Sequence, residues 1–218
     1  MYNLEKGEAM NITSIEKNKK NKDRLSVYVD NQYCFTISED DYLSLNLYEK
    51  KEMTKKEIDY IKNNINFHSA KSTAIKFLSL RLRTEKEVFD KLGDKGYDTK
   101  TIMDAIEELK SLGYINNKLY VQKYIYDRSK LKPKSKKMLK FELISKGISQ
   151  EDIDEIIVDW KADDITVAET LVKKKFGKYD LKDEKIVKRV YSFLHHRGFS
   201  FEIVNGIIQK TNNGSSDL

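Results

Sequence analysis

Three segments, KLGDKGYD (residues 91–98), ELISKGIS (142–149) and FLHHRGFS (193–200), share one form: leucine, two residues, lysine or arginine, glycine, an aromatic or aliphatic residue, then aspartate or serine. Leu92, Leu143 and Leu194 stand 51 residues apart. The same spacing relates Val88, Leu139 and Val190, then Ile102, Ile153 and Val204, then Ala105, Ile156 and Ile207, and then Ile106, Ile157 and Ile208. A repeat that preserves apolar positions on both sides of a junction is structural. Gly96, Gly147 and Gly198 each follow a cation at a helix end, where glycine takes the left-handed cap and the charge complements the helix dipole. Asp98, Ser149 and Ser200 then stand where the next helix needs an N-cap.

Another helical segment precedes each pair, near 70–81, 117–129 and 164–176. The unequal connectors LKPKS (131–135) and GKYDLKD (177–183) are expected to take these first helices off the fixed register. The expected fold is mostly α: three-helix repeats over 67–114, 115–162 and 163–212, in an elongated curved array, with 213–218 as a disordered tail. Ahead of them, residues 1–66 read as a small β-hairpin and helix module. Leu25, Val27 and Val29 alternate, as do Tyr33, Phe35 and Ile37, about a turn at Asp30-Asn31, giving three short strands over 10–37. Ser38-x-x-Asp41 and Thr54-x-x-Glu57 have the spacing of capping boxes that start two helices. Lys6-Gly7-Glu8-Ala9, directly before Met10, reads as a translated ribosome-binding site, so the native start is expected at Met10 rather than Met1.

Composition narrows the function classes. The 218 residues are 35% charged, against roughly 25% in an ordinary chain, yet 39% are apolar, so the chain folds with much surface. No stretch approaches the about 18 consecutive apolar residues of a membrane span, and no signal peptide opens the chain. A single cysteine, Cys34, excludes an internal disulfide and fits a reducing cytoplasm. Of three histidines, only His195 and His196 are neighbours, and adjacent helical residues point about 100° apart rather than at one metal. No nucleophile motif or phosphate-cradling glycine spacing is present. A non-enzyme without metal, cofactor or catalytic residue is expected.

The net charge of +6 is unevenly placed: −1 over 1–68, +1 over 69–114, +4 over 115–162 and +2 over 163–218. Arg128, Lys130, Lys132, Lys134, Lys136, Lys137 and Lys140 form a run without an acid. Lys173, Lys174 and Lys175 end the first helix of the third unit, and Arg81 and Arg83 that of the first. All fall at one joint of the repeat, between its first and second helices. A regular stack would make that joint a basic ridge suited to phosphates or an acidic polymer. Base reading by a helix-turn-helix is not expected, because SQEDIDEIIVDW (149–160) carries five carboxylates that DNA phosphates would repel.

The segments FLSLRLRTEKEVFDKLGDKGYDTKTIMDAIEELKSLGYINNKLYVQKYI (77–125), KSKKMLKFELISKGIS (134–149) and FLHHRGFSFEIVNGII (193–208) resemble the RecX family, regulatory proteins of the bacterial recombinase RecA. The resemblance covers about 70–210, and the hairpin module resembles the N-terminal extension of members from Gram-positive bacteria. It implies a negative modulator that binds along the RecA–DNA filament groove and limits filament growth, strand exchange and coprotease activity. The expected partners are the RecA filament and DNA phosphates, for a cytoplasmic monomer with no membrane contact. Reversal of Lys132, Lys134, Lys136 and Lys137 to Glu is then expected to weaken filament binding and inhibition without unfolding the chain. The alternatives are a sequence-nonspecific DNA-binding repeat protein and an adaptor for another protein.

Overall fold

The computed structural model describes residues 9–19, 21–158, 160 and 163–213. Of the tail expected at 213–218, only 213 is described. Residues 1–8, on which the choice of Met1 or Met10 turns, lie outside. Backbone contacts divide the chain into two compact units, Met1–Asn116 and Asn117–Leu218.

The first unit opens with an antiparallel sheet of β1 (Ala9–Lys17), β2 (Arg24–Val29), β3 (Gln32–Ser38) and β4 (Glu52–Thr54), in the order β3-β2-β1-β4. Asp30 and Asn31 both take positive φ, 48° and 63°, as a two-residue hairpin turn between right-twisted strands demands. The alternation predicts three strands, and the structure adds β4. Three residues are too few to show alternation, and β4 is fixed only by pairing with Ala9–Asn11. The apolar face, with Val27, Phe35, Ile37 and Met53, packs its own core against Leu47, Ile58 and Ile61.

Ser38 caps α1 (Glu39–Ser44) by accepting from the Asp41 N–H. Thr54 and Glu57 form the capping box of α2 (Lys55–Tyr60). Glu57 also receives Lys50, and that bond, with the Thr54 N–H at 2.8 Å, draws its carboxyl from the ordinary 4.5 down to about 2. A depressed folded pKa means that the stabilisation is complete above the unfolded value and is lost as pH falls through the folded one. The stability difference between wild type and Glu57→Gln should therefore shrink as pH is lowered from 4.5 to 2, followed by thermal melts at stepped pH. A pH-independent difference over that window would refute the assignment.

Helical turns run without a break from Lys55 to Leu78: α2, a π-helical segment Ile61–Asn66, and α3 (Phe67–Leu78). The first helix of the first unit thus ends three residues before the expected 81. Arg81 and Arg83 lie in the connector to α4 (Glu85–Asp94), not on the helix. With α5 (Thr99–Ser111) these helices enclose a core around Ala70, Ala74, Val88, Leu92 and Ile102.

The second compact unit holds two further three-helix sets. One is α6 (Asn117–Leu131), α7 (Lys136–Ser145) and α8 (Gln150–Ile157); the other is α9 (Asp164–Phe176), α10 (Glu184–His195) and α11 (Phe201–Asn213). Each has its own cluster of buried side chains.

The quoted junctions are three copies of one cap. Gly96, Gly147 and Gly198 have φ of 83°, 80° and 81°. In each, the glycine N–H bonds the carbonyl three residues back and the next N–H bonds that of the leucine: Tyr97 to Leu92, Ile148 to Leu143, Phe199 to Leu194. This double bond is the Schellman motif, and its apolar contact is made by the same pairs, all buried. Full burial of each leucine contributes about 2 kcal/mol. Asp98, Ser149 and Ser200 each then accept an N–H three residues on, as expected of N-caps.

The register is kept further than expected. Ala70 and Ala74 of α3 correspond to buried Val121 and Ile125 of α6, still 51 residues on, so the second unit's first helix stays in step. Only α9 slips: its buried Ala168 and Val172 follow Val121 and Ile125 by 47.

Candidate functional site

Within the second compact unit, Ser135 decides where the basic joint lies. It N-caps α7, accepting from the Met138 N–H at 3.2 Å, while its Oγ donates to the Gly198 carbonyl at 2.7 Å and its N–H to the Arg197 carbonyl at 3.0 Å. Lys136 N–H donates to Asp164 Oδ1 at 2.9 Å, so the N-terminal residue of α9 also caps α7. These bonds clamp the connector Lys132–Ser135 to the glycine corner of the third repeat.

A groove of about 820 Å³ opens beside this clamp, between the end of α6 with its connector and α9 with the end of α10. Lys130, Lys132, Lys134, Lys174, Lys175 and Arg197 line it, and no carboxylate does among the described residues. Two parts of the sequence, 130–134 and 174–175, therefore converge in space. Arg197 was not among the predicted site residues. Its place in the repeated cation-Gly junction was the available signal, but that signal reads as capping, and its guanidinium does donate to the Phe193 carbonyl at 3.0 Å.

The remaining predicted cations separate into other roles. In the first compact unit, Arg81 pairs with Glu87 at 2.8 Å, and Arg83 lies over the Phe77 ring at 4.0 Å with its side chain only 14% exposed. Arg128 donates to Tyr124 Oη at 3.0 Å and lies 3.6 Å from Glu142, which Lys134 also reaches. Burial opposes ionisation of Glu142, but the bonds from Lys134 and Tyr124 outweigh it and hold the carboxyl below its ordinary value. Burial, with the same carboxylate as neighbour, pushes the Tyr124 hydroxyl up to about 12. Lys140 binds Asp154 at 2.5 Å. Five of the twelve predicted cations, Arg81, Arg83, Arg128, Lys134 and Lys140, thus already hold an ion pair inside their own unit.

Lys130, Lys132, Lys137, Lys173, Lys174 and Lys175 are exposed and carry no ion pair among the described residues. Lys136 is half-buried, over Trp160 at 5.9 Å. The run Lys173–Lys175 divides, because neighbours on a helix diverge by about 100°. Lys174 and Lys175 enter the groove, while Lys173 lines a separate cavity with Glu169 and Lys210.

The acidic helix α8 is also engaged. Asp154 holds Lys140 and Glu155 holds Lys118 at 2.6 Å; Asp159 lies outside the described residues. Cys34 is half-buried beside the sheet core, and burial pushes its thiol up, which suits packing rather than reactivity.

Comparison with known proteins matches four family models to the chain. The Regulatory protein RecX N-terminal domain matches residues 10–54, and the first, second and third three-helix domains of RecX match 70–109, 116–157 and 162–208. The chain is 32% identical to the Regulatory protein RecX of Clostridium beijerinckii over 203 residues, 91% of this chain and 94% of the relative. It is 31% identical to that of Bacillus velezensis over 211 residues, 94% and 79%. Among solved structures, a regulatory protein RecX superposes with a TM-score of 0.61 at 24% identity, covering 92% of this chain and 99% of that one. RecX from Lactobacillus salivarius gives 0.59 at 27%, covering 68% and 98%. With all four family domains matched in order across strand module and repeats, the chain belongs to the RecX family of regulatory proteins.

Proposed function

We propose that this chain is a negative regulator of the RecA recombinase, acting as a cytoplasmic monomer that binds the RecA–DNA filament and limits its growth, strand exchange and coprotease activity. The observation that supports this reading best is the groove beside Ser135, where lysines from two repeats meet without a carboxylate among the described lining residues. Surface cations that fold stability does not consume are available to a partner. Lys130, Lys132, Lys137, Lys174 and Lys175 are the contact residues of this reading, and Lys136 and Lys173 flank them. Arg81, Arg83, Arg128, Lys134 and Lys140 shape the joints. Several weak contacts from successive repeats act together through effective concentration, so no single one need be strong.

The decisive measurement is RecA DNA-dependent ATPase and strand exchange, with and without the chain, at two salt concentrations. Inhibition that depends on the amount of chain added, weaker at high salt, is expected. Unaltered ATPase, with tight salt-sensitive binding to DNA that needs no RecA, would replace this reading by the sequence-nonspecific DNA-binding one.

A further inference from the structure

The groove beside Ser135 is not only basic. Its lining is also apolar: Leu131, Val167, Leu171 and Phe193 line it together with Trp160. Leu131 is 79% exposed, the most exposed apolar side chain of its helix, in which Val121 and Ile125 are buried and Leu119 is 46% exposed. A phosphodiester backbone gains nothing from an exposed leucine, whereas an apolar side chain laid on it removes both surfaces from water.

The ring of Phe193 points the same way. Base-stacking sites need a free ring face. Phe193 already has the Arg197 guanidinium 3.8 Å and the Lys175 ammonium 4.2 Å from its ring centroid. These cations use the ring as a support that holds them at the groove wall. The groove therefore offers positive charges, two of them held on Phe193, around an apolar lining, which complements carboxylates flanking apolar side chains.

We infer that the groove between the second and third three-helix units receives an acidic amphipathic segment of a protein partner, with its apolar side chains on Leu131, Val167 and Leu171 and its carboxylates on Lys130, Lys132 and Lys174. This deepens the proposed function and rests on it in one respect: the partner is a protein surface, not DNA alone. The volume of about 820 Å³ suits a few side chains from one short helix or strand.

The chain has one tryptophan, Trp160, and it lines the groove, so its emission reports occupancy directly. The full chain is titrated with three probes: a short peptide of Glu and Leu with leucines at helical spacing, polyglutamate of equal length, and oligothymidylate. The Glu/Leu peptide should shift Trp160 emission and bind at least tenfold more tightly than polyglutamate. Leu131→Asp should remove that advantage at an unchanged circular dichroism spectrum, and Lys132→Glu with Lys174→Glu should weaken both peptides.

Equal affinity for the two peptides would reduce the groove to a charged patch and overturn the inference. Displacement of the peptide by oligothymidylate with Leu131→Asp neutral would assign the groove to nucleic acid and overturn it too. The RecA ATPase assay separates the two levels. A wild-type chain that inhibits RecA but leaves Trp160 unmoved by the peptide ends the groove inference alone, and one that binds the peptide but leaves RecA unaffected ends the proposed function alone.

Discussion

Gly198→Ala is expected to destabilise the Asn117–Leu218 unit by about 3 kcal/mol, from about 1–2 for a side chain in the left-handed region plus the cost of overpacking. A Cβ at Gly198 would stand 2.7 Å from both Met138 Cβ and Ser135 Oγ. Neither neighbour can retreat easily, since Ser135 is fixed by three bonds and is almost fully buried. Two other left-handed glycines, Gly96 and Gly113, provide the scale. At Gly96 the first atom met is Asn18 Oδ1, farther off at 3.1 Å, and a shift of a few tenths of an ångström strains its bonds with the Asn21 N–H and Ser26 Oγ, so the loss should be about 2 kcal/mol. At Gly113 nothing lies within 4 Å, and only the backbone cost of about 1 kcal/mol remains. Urea unfolding, with Trp160 fluorescence following the second compact unit and far-ultraviolet circular dichroism the whole chain, measures the series. Three equal losses would mean that the glycines serve only their own caps and that the clamp between the second and third repeats carries no energy.

The combined reversal Lys130→Glu, Lys132→Glu, Lys137→Glu and Lys174→Glu should raise the concentration needed to half-inhibit RecA ATPase by at least about tenfold and flatten its salt dependence, as expected when several charge contacts to a polyanionic partner are lost. Its melting temperature should stay close to wild type, because none of the four holds an ion pair among the described residues. Lys134 and Lys136, which the linear run brings equally to notice, are poor choices. Lys134→Glu would set a carboxylate against Glu142, and Lys136 stands over Trp160 at the clamp. Lys134→Glu alone is thus expected to cost stability, while the quadruple reversal costs inhibition. Full inhibition by a folded quadruple variant would exclude the groove face as the contact surface.

Much of this molecule is legible locally. The three Schellman caps need only Leu, a cation, Gly and an apolar residue within six positions, and the N-caps follow at once. Both are decided by bonds between residues that are near in sequence, so periodicity and residue type suffice. The apolar register at 51 residues is legible for the same reason, and it extends to α6 beyond what the connector lengths suggest. Elements held by distant pairing were not legible. β4 exists because Ala9–Asn11 lies beside it. Arg24, which alternation would place on an exposed face, is buried between the Thr36 carbonyl, Asn66 and the Tyr97 ring, where the first repeat covers the back of β2.

The basic residues show where the boundary runs. Sequence by itself determined that cations concentrate at one joint of each repeat, because the joint is a helix end and its position follows from the period. It could not say which of them are spent. That depends on Glu142 reaching Arg128, Tyr124 and Lys134 from the facing helix, on Asp154 reaching Lys140, and on Glu87 holding Arg81. The groove itself arises from a bond across 63 residues, Ser135 to Gly198, which brings 130–134 beside 174–175. Helix ends are local hydrogen-bond problems with local solutions; the charge left available to a partner is what remains after long-range packing has paired the rest.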